Sequence, residues 1–347
     1  MHLDVTIDAR PLVGNRTGIG VHTAEIARRL AVDPPPLLAS HAEIADKSGL
    51  EACRFRVDAM PLGVLWQQLV LPRVAREGVL WGPHGTLPLA LRVPGVVTLH
   101  DFTSLTAPGR HRFKTIASFN LFIGRSLEKA VRVAAVSRAV ADEAMRWFGV
   151  PAAKIALVPN GVDEFFSPDG EEDDYILFAG TLEPRKGIDD LIAVYDTLPE
   201  PRPRLVLAGD AGWGMWGGFQ SALGGLKPAP HITGYVSREK LRDLYRHARI
   251  FVYPSREEGF GIPPLEAMAC GAPVVATRVG AIPEFAGDAA LLIDPGDRGA
   301  LREAITRLLR DAALRRELRA RGPVRASRYR WEASAATMTR LLEEAAR

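Results

Sequence analysis

The sequence predicts an α/β protein built on two doubly wound parallel sheets. Three observations carry this. Short apolar, β-branched runs alternate with stretches of helical period from end to end, the pattern of parallel strands joined by crossover helices. About a dozen such runs are too many for one compact sheet. One segment, Asn160–Asp174, reads as a break: Gly161, Pro168 and Gly170 punctuate it, and the acidic run Glu171–Asp174 reads as a solvated link. The expected domains are therefore residues 1–168 and 169–330.

In the first half, strands are expected at Leu3–Ile7, Phe55–Ala59, Val79–Trp81, Val96–Leu99, Val133–Val136 and Ile155–Val158. In the second half they are expected at Tyr175–Ala179, Arg204–Ala208, His231–Thr233, Ile250–Tyr253, Pro273–Ala276 and Ala290–Ile293. Helical period marks Gly20–Leu30, Arg112–Val131, Arg138–Phe148, Ile188–Leu198, Arg238–Arg249 and Leu301–Ala320. A last helix follows Trp331, beyond a basic stretch from Arg302 to Arg330 that reads as a solvated helix face.

Composition removes several classes. A length of 347 residues suits two domains. The two cysteines, Cys53 and Cys270, lie far apart, which excludes a disulfide scaffold and a cysteine-rich zinc site and fits a reducing cytoplasm. A net charge of +3 is too small to argue for a nucleic-acid partner. Asp4 and Asp8 interrupt any signal-peptide core. No apolar run approaches the ~20 residues of a spanning helix. A cytoplasmic protein is expected.

The most informative segment is Ser255-Arg-Glu-Glu-Gly-Phe-Gly-Ile-Pro-Pro-Leu-Glu266. A strand ends, a glycine-containing loop follows, and Pro263-Pro264 opens a helix, where proline's missing N–H costs nothing. Free amides there make an anion site, and Gly259 and Gly261 let a ligand come close. Glu258 and Glu266 could both point outside the carboxyl end of the sheet, where such folds bind ligands. A carboxylate beside a diphosphate is costly unless sugar hydroxyls donate to it or positive charge develops opposite it. The alternative for Glu266 is an ordinary first-turn acid favoured by the helix dipole.

Three further segments lie at strand ends. In Ala179-Gly-Thr-Leu-Glu-Pro-Arg-Lys-Gly, Arg185 and Lys186 stand at a helix start, where the dipole disfavours cations. Such a local conflict marks either phosphate binding or two solvated side chains. In Val97-Thr-Leu-His-Asp-Phe, His100 ends an apolar strand at the rim of the first domain, while Asp101 either joins it or begins the next turn. In Arg16-Thr-Gly-Ile-Gly-Val-His22, Gly18 and Gly20 make only part of a dinucleotide fingerprint, because the third glycine position is Thr23. Walker-A, zinc-protease and nucleophile-elbow patterns are all missing from the sequence, as is any Asp-x-Asp pair.

Taken together, these segments resemble the retaining glycosyltransferases of family 4. The resemblance rests on the spacing Glu258-x7-Glu266, on His100-Asp101 and on Val136-Ser-Arg. It extends through Val158-Pro-Asn-Gly-Val, Gly180-Thr-Leu-Glu-Pro-Arg-Lys-Gly, Gly234-Tyr-Val and Ala269-Cys-Gly-Ala-Pro-Val-Val-Ala, and so spans nearly the whole chain. It implies the GT-B fold: two Rossmann-like domains with a cleft between them, and the helix 331–347 crossing back onto the first. It implies that Glu258 contacts the donor hexose and Glu266 the ribose, that Arg185 and Lys186 hold the diphosphate, and that His100 touches the transferred sugar. The segment Gly259, Phe260 and Gly261 would help through its amides. Tyr235 and Val236 would lie by the base, and Gly18 and Gly20 would face the phosphates or the acceptor. Thr181 stands where many members carry an arginine, which leaves Arg185 more of the phosphate role.

The resemblance also implies a nucleotide-sugar donor, metal-independent chemistry without a cofactor, and retention by front-face attack. The stretches Gly180–Lys186 and Glu257–Ala269 resemble those of bacterial mannosyltransferases of surface-polysaccharide pathways, which points to GDP-mannose and a saccharide or lipid-linked acceptor. A UDP-hexose donor, or an epimerase or hydrolase on the same fold, are the alternatives. Arg110–Lys114 with Ile116, Phe119, Leu121, Phe122 and Ile123 reads either as a core helix with a solvated end or as a peripheral patch facing the inner side of a membrane.

Overall fold

The computed structural model describes residues 2–106, 113–210 and 223–347. It divides into two compact units, Met1–Gly161 with Trp331–Arg347, and Val162–Arg330.

The first unit holds seven parallel strands: β1 (Val5–Asp8), β2 (Leu37–Ser40), β3 (Arg54–Val57), β4 (Val79–Gly82), β5 (Gly95–Leu99), β6 (Arg132–Ala135) and β7 (Ile155–Leu157). Their order is β3-β2-β1-β4-β5-β6-β7. The inner strands β1, β4 and β5 are buried along their whole length, as the unbroken apolar runs of a sheet covered on both faces require. β2 was not among the expected strands. It is four residues long behind Pro34-Pro35-Pro36, too short to show a period, and its pairing with both β1 and β3 defines it.

The second unit holds six parallel strands: β8 (Tyr175–Ala179), β9 (Arg204–Ala208), β10 (His231–Gly234), β11 (Ile250–Tyr253), β12 (Val274–Thr277) and β13 (Leu291–Ile293). Their order is β10-β9-β8-β11-β12-β13. In each unit the chain first builds outward on one side of the opening strand and then crosses to the other. The order therefore reverses between β1 and β4, and again between β8 and β11. Open α/β sheets bind ligands outside the carboxyl ends of the strands at such reversals.

The terminal helix Trp331–Ala346 belongs to the first unit. Trp331, Ala335, Met338, Leu341, Leu342 and Ala345 join the core beside Ile7, Ala24 and Ile26, and the Ser334 hydroxyl donates to the Pro159 carbonyl at 2.6 Å.

Three expectations are corrected. The domain boundary falls after Gly161, not after 168. The Val162 amide donates to the Tyr329 carbonyl, Phe166 packs near Tyr245, and Arg246 donates to the Ser167 carbonyl, which ties residues 162–168 to the second unit. The acidic run is exposed, as a solvated link would be, but lies within the second unit, where Glu172 pairs with Arg315, whose side chain is 8% exposed, and Asp174 with Arg249. Arg315 therefore also departs from a solvated basic face. Finally, Leu301–Ala320 is not one helix. Arg298–Arg310 and Ala312–Ala326 meet at Asp311, whose carboxylate accepts from the Leu314 amide at 2.9 Å and caps the second.

Of the expected basic-apolar patch, Arg110–Arg112 lie outside the described residues. Within the helix Phe113–Lys129, Leu121 is exposed and Ile123 is buried in the core.

Candidate active site

β8 and β11 are neighbours, so the turns that follow them meet at the carboxyl edge of the second sheet. The turn after β8 carries Glu183, Arg185 and Lys186 and closes on Gly187 at φ +67°. A Cβ at Gly187 would lie 2.0 Å from the Pro254 carbonyl oxygen, so only glycine lets the two turns come this close. The turn after β11 runs through Ser255 and Glu258 to Gly261, at φ +91°, where the helix Ile262–Ala269 begins.

This approach builds a compact charged cluster. Glu258 Oε1 accepts from Lys186 Nζ at 2.6 Å, from the Tyr253 hydroxyl at 2.7 Å and from the Ser255 hydroxyl at 2.8 Å. Lys186 Nζ also donates to the Tyr253 oxygen at 2.8 Å. Arg185 Nη1 stands 3.9 Å from Glu258 Oε2, while its Nη2 donates to Glu183 at 2.7 Å. Burial alone would raise the Glu258 pKa, but the charges of Lys186 and Arg185 outweigh it and hold the carboxyl below its ordinary value. Burial, reinforced by Arg185, lowers the Lys186 pKa against the pull of Glu258. Burial and the Glu258 charge push the Tyr253 phenol well up, so it stays a neutral donor.

Glu266 is half-buried and lies beyond the first turn of its helix, not in it as expected, because the helix begins at Ile262. The buried Tyr245 hydroxyl, from the helix Arg238–His247, donates to its Oε2 at 3.2 Å. Both carboxylates of the motif thus stand on tyrosine hydroxyls, and Tyr245, Phe251 and Tyr253 form a continuous aromatic row beneath them.

The remaining residues of this unit divide. Gly259 is buried in the loop. The Phe260 ring is core, packed on Phe285 at 5.4 Å, so only its backbone can face a ligand. Thr181 and Tyr235 are exposed at the carboxyl ends of β8 and β10, and Val236 is half-buried. The Tyr235 amide donates to Asp210 Oδ1 at 2.9 Å.

His100, Gly18 and Gly20 belong to the first unit. His100 follows β5, half-buried, with Nε2 at 2.9 Å from the Pro83 carbonyl and its ring edge-on to His22 at 4.9 Å. Burial, with His22 and His84 nearby, holds its pKa well below the ordinary value. It is neutral at pH 7, with Nε2 as the N–H and Nδ1 as the acceptor. Asp101 begins the next turn: its carboxylate accepts from the amide and the hydroxyl of Thr103. Gly20 has a packing reason rather than a ligand-facing one. A Cβ there would lie 2.6 Å from the Pro11 carbonyl oxygen. Gly18 is exposed at the first turn of the helix Gly18–Ala27.

Several groups were not anticipated. Tyr253, Ser255 and Tyr245 read in sequence as strand, loop and helix residues; only the polar hydroxyl closing the apolar strand Ile250–Tyr253 hinted at more. In the first unit, the carboxyl ends of β2, β1, β4 and β5 carry His41, Asp8 with Arg10, His84 and His100 in a row. Asp8 is fully buried and takes Arg10 through Nε at 2.8 Å and Nη2 at 2.6 Å, with Gln67 Nε2 donating at 3.1 Å. No group of three or more His, Cys, Asp or Glu among the described residues has metal-site geometry, and no helix among them is long and apolar enough to cross a membrane.

The comparisons with known proteins agree with this architecture. Residues 162–325 match the family model described as glycosyl transferases group 1, and residues 55–164 that described as glycosyltransferase family 4. The chain is 31% identical to O-antigen chain mannosyltransferase B of Escherichia coli, over 95% of this chain and 97% of that protein. It is 30% identical to the D-inositol 3-phosphate glycosyltransferase of Streptomyces bingchenggensis, over 97% of this chain and 87% of that one. Among solved structures, HepE of Anabaena in complex with UDP and glucose superposes with a TM-score of 0.81 at 21% identity, covering 99% of this chain and all of that one. Two parallel-sheet α/β units of this kind make the GT-B fold, and the class is that of the glycosyltransferases. The chain belongs to glycosyltransferase family 4.

Proposed function

We propose that this glycosyltransferase moves a hexose, mannose from GDP-mannose, to a saccharide or lipid-linked saccharide in surface-polysaccharide synthesis, with retention of anomeric configuration. The observation that carries the site is the Lys186–Glu258 pair at the sheet reversal, with Arg185 beside it. In the donor, the diphosphate and the hexose are adjacent groups. A cation and a carboxylate in contact therefore suit it: Lys186 and Arg185 neutralise the leaving diphosphate, and Glu258 accepts from sugar hydroxyls and faces the positive charge that develops at the anomeric carbon. The cations take the part a metal plays elsewhere, so turnover should survive EDTA. Glu266, steadied by Tyr245, would hold the ribose. The 31% identity to an O-antigen mannosyltransferase supports the mannosyl donor and the polysaccharide context.

The carboxyl edge of the first sheet suits the acceptor. His84, Arg10 and the Nδ1 acceptor of His100 offer polar groups for sugar hydroxyls at its reversal point. A peripheral membrane contact through the exposed Leu121 helix belongs to the lipid-linked version of this reading.

Thermal shift and calorimetry with GDP-mannose, GDP, UDP-glucose, UDP and NAD test it, since a ligand of the folded state raises stability with its affinity. Stabilisation by the guanosine ligands alone, followed by mannosyl transfer with retained configuration, is the expected result. A response to uridine ligands alone overturns the donor. Donor turnover at full rate without any acceptor supports a hydrolase or epimerase instead.

A further inference from the structure

We propose that Tyr253 and Ser255 are positioning residues for the Glu258 carboxylate, which they hold so that Oε2 is the oxygen offered to the donor sugar. The proposal deepens the glycosyltransferase reading and rests on it for the identity of that sugar.

The two oxygens of Glu258 have unlike surroundings. Three donors converge on Oε1, at 2.6 Å from Lys186, 2.7 Å from Tyr253 and 2.8 Å from Ser255. That exceeds the two lone pairs one carboxylate oxygen presents. Oε2 has Arg185 Nη1 at 3.9 Å, close enough for attraction but outside hydrogen-bond reach. With Oε1 saturated, the lone pairs left for a substrate hydroxyl are those of Oε2.

Tyr253 can hold this arrangement because its ring is itself fixed. It stacks on Phe178 and on Phe251, each with centroids 6.1 Å apart, and the ring is fully buried. The hydroxyl accepts from Lys186 and donates to Glu258, so one rigid phenol places both members of the ion pair. Ser255 adds a shorter arm. Its Oγ also lies 3.3 Å from the Arg185 carbonyl and 3.2 Å from the Glu257 carbonyl, but the Glu258 contact is the closest. The charged and titratable groups facing Glu258 are Lys186 and Arg185 from the turn after β8, Glu183 behind Arg185, and Tyr253 from its own strand. Of these, only the Tyr253 hydroxyl can be removed without changing a charge.

The test removes each hydroxyl and reads Glu258 directly. Protein labelled with carbon-13 at the glutamate carboxyls is titrated by NMR, with the Glu258 signal identified by its loss in Glu258→Gln. Tyr253→Phe keeps the aromatic stack. Removing one hydrogen bond to a charged group should make Glu258 about tenfold or more easier to protonate. Ser255→Ala should shift it the same way, and Ser255→Thr should restore it. In transfer assays with GDP-mannose and UDP-glucose, the acid limb of the rate profile should move to higher pH in both hydroxyl-deletion variants. kcat should fall while the donor KM changes little. An unchanged Glu258 titration in both variants overturns the proposal; Ser255→Ala decides it alone if Tyr253→Phe does not fold. A wild-type protein inactive with both donors would sink the functional reading, yet the titration would still show whether these hydroxyls hold the carboxylate.

Discussion

Lys186 Nζ stands 2.6 Å from Glu258 Oε1, across 72 positions of sequence, with both side chains almost wholly buried. The pair draws its meaning from its place: each residue lies in the turn after one of two adjacent strands, at the point where the strand order reverses. A pair held only for stability would be a poor choice here, since desolvation takes back most of the Coulomb gain.

Removing one member should therefore harm both function and fold stability, and removing both should harm mainly function. Lys186→Met leaves a buried carboxylate without its ammonium and should cost about 3–5 kcal/mol. Lys186→Met/Glu258→Gln should recover much of that in urea unfolding. Transfer should fall by about 10²–10³-fold or more in Lys186→Ala and in Glu258→Ala. Wild-type rates in both purified single variants would remove the pair from the active site.

Gly187→Ala tests the close approach of the two turns. Its φ of +67° disfavours any side chain by about 1–2 kcal/mol, and the added Cβ would meet the Pro254 oxygen at 2.0 Å. The turn must shift, carrying Lys186 with it. A lower melting temperature should accompany a fall in kcat, whereas Gly149→Ala, with open space around its Cβ and a φ of +63°, should affect melting alone.

His22 should make the protein acid-sensitive. Its ring is buried, and burial lowers its pKa to about 4, against the raising effect of Asn160, whose Oδ1 lies 2.8 Å from Nδ1. Between pH 6.5 and about 4, the unfolded chain binds a proton here that the folded chain does not. Stability is thus lost as pH falls through that window, by about 3 kcal/mol at its lower end. His22→Gln, which cannot titrate, should flatten this part of the melting temperature against pH. An equally steep acid limb in that variant would assign the loss to other groups.

His84→Ala probes the acceptor side. His84 is exposed beyond β4, so the fold should tolerate the change. The acceptor KM should rise several-fold while the thermal shift produced by GDP-mannose stays at its wild-type size. A weakened donor response instead would place His84 on the donor.

Local chemistry made much of this protein legible. Strands such as Tyr175–Ala179 and Ile250–Tyr253 are buried on both faces, so their apolar runs are unbroken and bounded by turn residues. Arg185 and Lys186 could be singled out because they break a local preference at a helix start, and Glu258 and Glu266 because they flank a glycine loop that opens a helix. Other elements carried no such signal. β2 has four residues and no period, and is a strand because β1 and β3 pair with it. Gly20 and Gly187 look alike in sequence; one is needed by the Pro11 carbonyl and the other by the Pro254 carbonyl, neither of which a motif can name.

The class of fold, the number of sheets and the charged residues at strand ends were legible along the chain, because period, turn chemistry and local conflict are properties of neighbours. Which of those residues meet depends on how the strands are ordered in the folded sheet. Lys186 reaches Glu258 because β8 and β11 are adjacent across the reversal. Tyr253 joins the candidate site because its ring stacks on Phe178 and Phe251 with its hydroxyl on Glu258. Contacts between residues this far apart depend on strand order and close packing, and no local pattern encodes either.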